Sequence, residues 1–149
     1  MSIRLAKTSD LQAIAECEEL AFELSARRGT TRDASQSELL AQQVREREIH
    51  VISDAARIVG YISFSPSSDH LYVDSIAVLP RHHRQGLGSR LLTYAEDAAS
   101  RMGLGSVKLF TDGRIARNVR FYARRGYRET GRCDDDNFSR IFYSKPIAA

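Results

Sequence analysis

The sequence predicts an α/β fold in which helices cover the faces of a mixed sheet. The first observation is the order of strand-like and helix-like segments, β-α-α-β-β-β-α-β-α-β-β, in which a meander is followed by βαβ-like units. The second is an apolar strand at 71–78, which we expect at the centre of the sheet and covered on both faces. The third is the helix that follows at 86–102, because its apolar residues recur on one side.

Length and composition indicate one domain, residues 1–149, with a single hydrophobic core. Hydrophobic residues make up 42% and charged residues 28% of the chain, as in globular rather than disordered proteins. No apolar run is long enough to cross a bilayer, and the N-terminus lacks the apolar stretch of a signal peptide. We therefore expect a cytoplasmic protein without membrane association. The net charge of +3 is compatible with nucleic acid, but equally with a polyanionic cofactor.

In the first third of the chain, a short strand at 3–6 precedes a helix that begins at Thr8-Ser9-Asp10. Side-chain oxygens of this kind accept bonds from the free N–H groups of a helix start. The apolar positions of this helix recur at steps of three and four: Leu11, Ile14, Cys17, Ala21 and Leu24. A polar loop follows at 26–33, and the capping-box pattern Ser35-x-x-Glu38 then opens a second helix with Leu40 and Val44 on its apolar side.

The rest of the chain supplies six further strands and two helices. The strands are expected at 49–53, 57–64, 71–78, 107–110, 128–131 and 138–144. Pro80 ends the strand at 71–78, and Gly103 ends the helix that follows. The apolar side of that helix comprises Leu87, Leu91, Ala95, Ala98 and Met102. The last helix is marked by Ile115, Val119 and Tyr122 and ends at Gly126, and the loop at 132–137 is polar and acidic.

Neither the cysteines nor the histidines indicate a metal site. Cys17 is expected in the core and Cys133 as a free thiol in the polar loop, without metal-ligand spacing. The adjacent side chains of His82 and His83 point apart on most backbones, and no carboxylate or thiol clusters near them in the sequence. We therefore expect neither a bound metal nor a disulfide framework.

The segment from Val78 to Ser89 carries the most chemistry, because a strand ends there, a basic turn follows, and a helix starts at Gly86 and Gly88. Glycine lets a backbone approach a ligand closely. The first N–H groups of a helix lack internal partners and are partly positive, which suits a pyrophosphate. Taken alone, the two glycines leave three alternatives: a dinucleotide-binding loop, a P-loop or a structural turn. The first lacks its third glycine, which is Leu91 here, and the second lacks Gly-Lys-Ser/Thr.

Two motifs together make the sequence resemble the GNAT superfamily of acetyl-CoA-dependent N-acyltransferases over essentially the whole chain. One is Ile76-Ala77-Val78-x-Pro80 running into Gln85-Gly86-Leu87-Gly88-Ser89-Arg90-Leu91-Leu92, and the other is Asn118-Val119-Arg120-Phe121-Tyr122-Ala123-Arg124-Arg125-Gly126-Tyr127. The resemblance implies a GNAT-like, mostly antiparallel sheet of six to seven strands with helices on both faces, and acetyl-CoA as co-substrate. It assigns these residues to cofactor binding: Ile76, Ala77, Val78, His83, Arg84, Gln85, Gly86, Leu87, Gly88, Ser89 and Asn118.

The sequence departs from the family pattern at three positions. His83 replaces the usual Gln or Arg three residues before the first glycine, and Arg84 occupies a position that is often glycine. Ile115 stands where the family commonly has Asn, so the role of that Asn is transferred to Asn118. Because backbone N–H groups bind most of the phosphate, these changes are compatible with cofactor binding.

Acetyl transfer to an amine needs a base for the amine, a donor for the charge that develops on the thioester carbonyl, and a proton for the departing thiolate. By resemblance, Tyr122 supplies the thiolate proton. The alternative is that Phe121 and Tyr122 are only an aromatic pair in the core. A backbone N–H near Val78 is the expected donor to the carbonyl. The candidates for the base are Asp74 first, then His70, Glu129 or an ordered water.

Two other functions stay open at this point. A catalytically inactive CoA-binding module with a regulatory or partner-binding role is compatible with His83 and Ile115, although Tyr122 argues against it. A nucleic-acid-binding protein would explain the arginines of the last helix, Arg114, Arg117, Arg120, Arg124 and Arg125. A solvated helix face is the more usual explanation of such a pattern, and we expect no nucleic acid partner.

The acceptor is expected to be an amine of a small molecule or peptide that contacts residues 22–33 and the last hairpin. The run Asp134-Asp135-Asp136 indicates either a solvated acidic turn or a surface that attracts a cationic acceptor. A homodimer is compatible with the sequence, which carries no signal for or against one.

Overall fold

The structure of the protein is a computed structural model that describes residues 1–25, 34–83, 85–136 and 139–148, without the side chains of 22–25 and 34–37. Its helices are α1 (Leu11–Ser25), α2 (Ala34–Arg45), α3 (Leu87–Arg101) and α4 (Ala116–Arg124), with short 3-10 turns at Thr8–Asp10 and Pro80–His82. Its strands are β1 (Ser2–Leu5), β2 (Ile49–Asp54), β3 (Arg57–Pro66), β4 (His70–Val78), β5 (Ser106–Asp112), β6 (Arg128–Asp134) and β7 (Ser139–Pro146).

The seven strands of the described residues form one sheet in the order β1-β2-β3-β4-β5-β7-β6. The pairs β1–β2, β2–β3, β5–β7 and β6–β7 are antiparallel. The pair β4–β5 is parallel and includes three residue pairs, from His70 with Ser106 to Tyr72 with Lys108. The predicted fold class, a mixed and mostly antiparallel sheet accompanied by helices, is therefore confirmed.

Two compact units can be distinguished within the chain. The first unit comprises Met1–Phe64 and Asp74–Tyr94, and the second comprises Ser65–Val73 and Ala95–Ala149. The fully or nearly buried side chains of the first unit include Ile14, Cys17, Leu40, Val51, Ile62 and Leu91. Those of the second unit include Leu71, Ala99, Val107, Leu109, Tyr127 and Ile141. The single domain of residues 1–149 stays a prediction.

The start of the first helical segment depends on one carboxylate. Asp10 is buried, and its Oδ2 accepts hydrogen bonds from the backbone N–H of Lys7 at 2.8 Å and from Nη1 of Arg4 at 2.7 Å. The hydrogen bonds from Arg4 are the main cause that lowers the pKa of Asp10. The expected helix-start chemistry is therefore found for Asp10, in the 3-10 turn that precedes α1, whereas the N-cap position is occupied by Lys7 and not by Thr8 or Ser9.

Two helix predictions need correction. The second helix begins at Ala34, so Ser35 lies inside it rather than before it as a cap. In α3, Met102 follows the last helical residue and is 52% exposed, whereas Leu92 and Ala99 are buried although they were left out of the predicted apolar side. The buried face of α3 is therefore wider than the predicted apolar side. The predicted loop at 26–33 lies outside the described residues.

The predicted loop at 132–137 is also shorter than expected. β6 extends to Asp134 and pairs with β7, so Cys133 lies in an edge strand opposite Arg140 and not in a loop. Its side chain is exposed and free, as predicted. Polar residues form this strand because the ladder to β7 supplies main-chain bonds that the side-chain pattern does not reveal. Asp134 accepts a 2.6 Å hydrogen bond from Oγ of Ser139, and Asn137 lies outside the described residues.

The hairpin between β2 and β3 has an unfavourable turn. Its two turn residues, Ala55 and Ala56, have φ angles of 48° and 71°, in the left-handed region that favours Gly, Asn and Asp. A side chain with a Cβ costs roughly 1 kcal/mol per residue in this conformation. The sequence predicted the turn from its position between two strands, but not its strain.

Replacing Ala56 by Gly should therefore raise the free energy of unfolding by about 0.5–1 kcal/mol, because glycine adopts a positive φ without the steric cost. Urea unfolding measures the change. The matched control is Ala123→Gly in the exposed part of α4, which should lower stability by about 1 kcal/mol. Equal destabilisation by both variants would contradict the strain assigned to the turn.

Candidate active site

The second half of β4 presents one face to solvent. Side chains alternate along a strand, so Asp74, Ile76 and Val78 share a face and Ala77 lies on the other. Asp74 is exposed, Ile76 and Val78 are half-buried, and Ala77 is buried. The prediction that this strand is covered on both faces is therefore wrong for the part that leads into the glycine loop. It was based on the apolar composition of the strand, which does not distinguish a covered face from an accessible one.

The turn after β4 is held by the ends of two strands. The backbone N–H of Leu79 donates to the carbonyl of Val59 at 2.8 Å. Nε2 of His83 lies 2.9 Å from the carbonyl oxygen of Val78. Because a carbonyl only accepts, His83 carries a proton on Nε2 and donates it to Val78. The residue that departs from the family pattern thus ties the loop back to the strand end.

The helix start at Gly86 has the predicted form. Gly86 has a φ of 76° and its carbonyl accepts the N–H of Arg90 at 3.0 Å, so it is the last residue before α3. The N–H groups of the first turn, starting with Leu87 and Gly88, cannot be paired inside the helix. Gly86 is exposed, and apart from its chain neighbours no atom of the described residues lies within 4 Å of the position that a Cβ would take. The backbone is therefore accessible to an anionic ligand at this point.

The other loop residues divide by burial. Leu87 is 2% exposed, so its side chain anchors the helix start in the core. Gln85 is exposed, and its Oε1 lies 3.3 Å from Nδ1 of His82. Gly88 and Ser89 are half-buried. Arg84 lies outside the described residues.

Gly60 in β3 allows a close approach that sequence reasoning missed. An ideal Cβ at Gly60 would lie 2.8 Å from the carbonyl oxygen of Ala77, which is closer than real Cβ contacts. The pairing of β2 with β3 shifts register here, from Ile52 opposite Gly60 to Ser53 opposite Ile58. An isolated glycine in a strand indicates a bulge or a close backbone approach, so this signal was present in the sequence.

Two polar residues of β4 in the first unit, Asp74 and Ser75, form side-chain hydrogen bonds with neighbouring elements. Asp74 accepts a 2.9 Å hydrogen bond from Nε2 of Gln43, which is itself buried in α2. Oγ of Ser75 donates to the hydroxyl of Tyr61 at 3.0 Å and lies 3.0 Å from Oγ of Ser63. Gln43 is 31 residues from Asp74, and no local pattern indicated this contact.

Tyr122 lies near the end of α4 in an aromatic cluster of the second unit. Its ring is 5.1 Å from Phe121, 5.8 Å from Tyr127 and 5.9 Å from Tyr143, measured between centroids. The side chain is buried, and burial raises the pKa of its hydroxyl above the ordinary range. Among the described residues, none forms a hydrogen bond with this hydroxyl. The group is therefore protonated at neutral pH and available to another partner.

The contacts of the other predicted site residues give less support for a catalytic or cofactor-binding role. Asn118 is half-buried in the first turn of α4. His70 lies 2.8 Å from the carboxylate of Asp69, and Glu129 accepts two hydrogen bonds from Arg132. Of the two alternative bases, His70 is thus already hydrogen-bonded to Asp69, and Glu129 forms an ion pair with Arg132. Of the basic residues on and before α4, Arg114 pairs with Asp112 and Arg125 stacks on Phe121, and those on the exposed side are Arg117, Arg120 and Arg124.

The predicted residues fall into two sets. Asp74, the end of β4 and the start of α3 belong to the first compact unit, whereas Asn118 and Tyr122 belong to the second. In the part of the chain that the structure describes, no three His, Cys, Asp or Glu side chains are grouped as metal ligands. Within the same residues, no helix is both long and apolar enough to span a membrane.

In the described residues, the fourth of seven strands leads into a helix that begins directly after a glycine, and the free N–H groups of such a helix start are suited to an anionic ligand. The sequence pattern described as the acetyltransferase (GNAT) family matches residues 11–127. The chain therefore belongs to the GNAT family of acetyltransferases, and the family predicted from the sequence is confirmed.

Solved structures share the fold over almost the entire chain. The PaiA N-acetyltransferase of Thermoplasma acidophilum, in complex with coenzyme A, has a TM-score of 0.81 at 15% identity, with 99% of this chain and 100% of that chain covered. The protein yncA of Salmonella typhimurium, with its cofactor acetyl-CoA, has a TM-score of 0.80 at 23% identity and coverages of 100% and 95%. The ribosomal-protein-alanine N-acetyltransferase of Brucella melitensis has a TM-score of 0.79 at 20% identity and coverages of 99% and 100%.

Replacing Gly86 by Val should weaken acetyl-CoA binding by at least about tenfold, or roughly 1.4 kcal/mol. Two effects contribute, because a β-branched residue disfavours the φ of 76° and its side chain would project into the open space beside the helix start. Isothermal titration of each variant with acetyl-CoA measures the change. The control is Gly131→Val, at a glycine that also has no atom within 4 Å of an added Cβ. Equal affinity of the wild type and Gly86→Val would show that the pyrophosphate lies elsewhere.

Proposed function

We propose that the protein transfers an acetyl group from acetyl-CoA to a primary amine of a small molecule or peptide by direct attack on the thioester. The observation that carries this proposal is the helix start at Gly86, directly after β4, in a chain of the GNAT acetyltransferase family. PaiA and yncA, which share the fold, have structures with coenzyme A and acetyl-CoA. The Brucella melitensis structure with the same fold is named as a ribosomal-protein-alanine N-acetyltransferase, and this name supports a peptide as one class of acceptor here.

In this proposal the pyrophosphate of acetyl-CoA lies at the start of α3. The N–H groups at the start of α3, at Leu87 and Gly88, supply partial positive charge and hydrogen bonds to the phosphate oxygens. Gly86 keeps the approach open, because it is exposed and carries no side chain. His83 contributes through its bond to Val78, which holds the turn between strand and helix. Arg84, Gln85 and Asn118 are assigned to the cofactor by resemblance alone.

The acetyl-pantetheine arm is assigned to the second half of β4, where it would contact the side chains of Ile76 and Val78 on the accessible face and the main chain of Ala77. A backbone N–H near Val78 donates a hydrogen bond to the thioester carbonyl oxygen. This bond strengthens as negative charge develops on that oxygen in the tetrahedral intermediate. The carbonyl of Val78 already accepts a bond from His83, so the peptide planes at this strand end are held before substrate binds.

The reaction moves two protons. The amine nitrogen attacks the carbonyl carbon, the C–S bond breaks, and CoA leaves as a thiolate. Asp74 is proposed to take the proton of the amine, directly or through water, since its carboxylate is exposed and oriented by Gln43. By resemblance to the family, Tyr122 is proposed to give its proton to the thiolate, and its phenol is protonated at neutral pH.

Replacing Asp74 by Asn should lower kcat/KM at neutral pH by about 100-fold, as expected for loss of a general base. The asparagine oxygen can still accept the hydrogen bond from Gln43, so the strand should be undisturbed. The defect should shrink as pH approaches about 10, where amines lose their proton without help. Rates of CoA release with an amine panel provide the measurement. The control is Asp97→Asn, at an exposed carboxylate of α3, and a result no different from this control would remove Asp74 as the base.

Replacing Tyr122 by Phe should lower kcat by roughly 100-fold or more, while acetyl-CoA affinity changes less than about twofold. Only the hydroxyl is lost, and the ring contacts with Phe121, Tyr127 and Tyr143 are kept. Steady-state kinetics and titration with acetyl-CoA separate the two quantities. Tyr94→Phe in α3 serves as the matched control for loss of a tyrosine hydroxyl. Unchanged turnover in Tyr122→Phe would leave this residue as part of the core.

A further inference from the structure

The end of α4 is closed by main-chain hydrogen bonds, one of which ties Tyr127 to Tyr122. The N–H of Tyr127 donates to the carbonyl of Tyr122, and the N–H of Gly126 donates to the carbonyl of Ala123, both at 3.2 Å. Gly126 has a φ of 87°. This combination is a Schellman motif, which commonly brings the side chains of its first and last residues into contact. Here the two tyrosine rings meet edge to face, 5.8 Å apart.

Tyr127 is in turn held by two charged residues from elsewhere in the second unit. Its hydroxyl donates to Oε2 of Glu96 in α3 at 2.8 Å. Oε1 of the same carboxylate accepts a 3.0 Å hydrogen bond from Nζ of Lys145 in β7. The Glu96 and Lys145 side chains are only 16% and 28% exposed. Partial burial makes the pair costly to separate and makes its geometry well defined.

The Tyr122 ring is in contact with three other rings, those of Phe121, Tyr127 and Tyr143. The three rings around it therefore decide where the hydroxyl points. Tyr127 is the neighbour that is both bonded to the backbone of Tyr122 and anchored through its own hydroxyl. Burial, reinforced by the negative charge of Glu96, raises the pKa of Tyr127. Its hydroxyl consequently remains a donor over the whole working range of pH.

We propose that Tyr127, Glu96 and Lys145 form a positioning network for Tyr122. Lys145 donates a hydrogen bond to Glu96, and Glu96 accepts one from the Tyr127 hydroxyl. The Tyr127 ring, fixed in this way, packs edge to face against the Tyr122 ring. The three residues act on catalysis only through Tyr122 and need no contact with substrate or cofactor. This inference rests on the proposed role of Tyr122 as the proton donor.

A double-mutant cycle between Tyr127→Phe and Tyr122→Phe tests the network. In the wild-type background, Tyr127→Phe should lower kcat about fivefold and leave the KM for acetyl-CoA within about twofold, since only the orientation of the proton donor changes. In the Tyr122→Phe background, the same substitution should have no further effect on kcat. The control is Ser100→Ala, which also removes a hydroxyl hydrogen bond of α3, to the carbonyl of Ala148, and should leave kcat unchanged.

Each outcome of the cycle decides between the two proposals. The network alone would be overturned if Tyr122→Phe lowers kcat but Tyr127→Phe has no effect on kcat in the wild-type background. It would also be overturned if Tyr127→Phe lowers kcat by the same factor in both backgrounds. Unchanged kcat in Tyr122→Phe would overturn the proposed role of Tyr122, and the network with it. Thermal unfolding verifies that each variant is folded.

Glu96 offers a second test that leaves the aromatic rings intact. Glu96→Gln keeps one oxygen that can accept the Tyr127 hydroxyl but replaces the oxygen that accepts from Lys145, so it should lower kcat only about twofold, as Lys145→Met should. Glu96→Ala removes the acceptor and should lower kcat about fivefold, as Tyr127→Phe does. Lys145→Met should lower kcat only when Tyr122 is present. Equal loss of kcat in Glu96→Gln and Glu96→Ala would show that hydrogen bonding to Tyr127 is not what matters.

Discussion

The main-chain hydrogen bonds that close the ends of β4 and α4 are the constraint on which the candidate site depends. Strands and helices must end with their last polar groups satisfied, and each solution fixes a particular residue. At the end of β4, the N–H of Leu79 donates to the carbonyl of Val59 and the N–H of His83 donates to the carbonyl of Pro80, and these bonds hold the turn that leads to the exposed helix start. At the end of α4, the bond from Tyr127 determines where Tyr122 lies in the aromatic cluster. Residues with proposed chemical roles are thus located by the backbone before any side-chain contact is considered.

Local backbone rules explain why much of this arrangement could be predicted from the sequence. Gly86, Gly103 and Gly126 were each predicted at a helix boundary, and all three have the positive φ that such boundaries require. A mixed sheet could be predicted because the period-two and period-3.6 segments follow one another as a meander and then as βαβ-like units. Tyr122 and Asp74 were singled out by a motif and by a position on a strand. Both of those features are properties of short stretches of sequence.

Contacts between distant segments could not be predicted in the same way. Gln43 donates a hydrogen bond to Asp74 from the buried face of α2, and no sequence pattern near either residue predicts this contact. Lys145 and Glu96 are 49 residues apart, and each is a residue type that is common on protein surfaces. The strand around Cys133 was missed because a polar edge strand is stabilised by its ladder rather than by its side chains. Tertiary pairing, which has no local signature, decides all three cases.

The two cysteines, one buried and one exposed, have a practical consequence for handling the protein. Burial raises the pKa of Cys17 to about 11, so its thiol is neither accessible nor ionised at neutral pH. Cys133 lies exposed on the edge strand and is free. Thiol reagents react with accessible thiolates, so a colorimetric assay for liberated CoA would register a background of one equivalent from the enzyme itself. A Cys133→Ser variant would remove that background, and the native Cys133 would conversely accept a single fluorophore or spin label on β6.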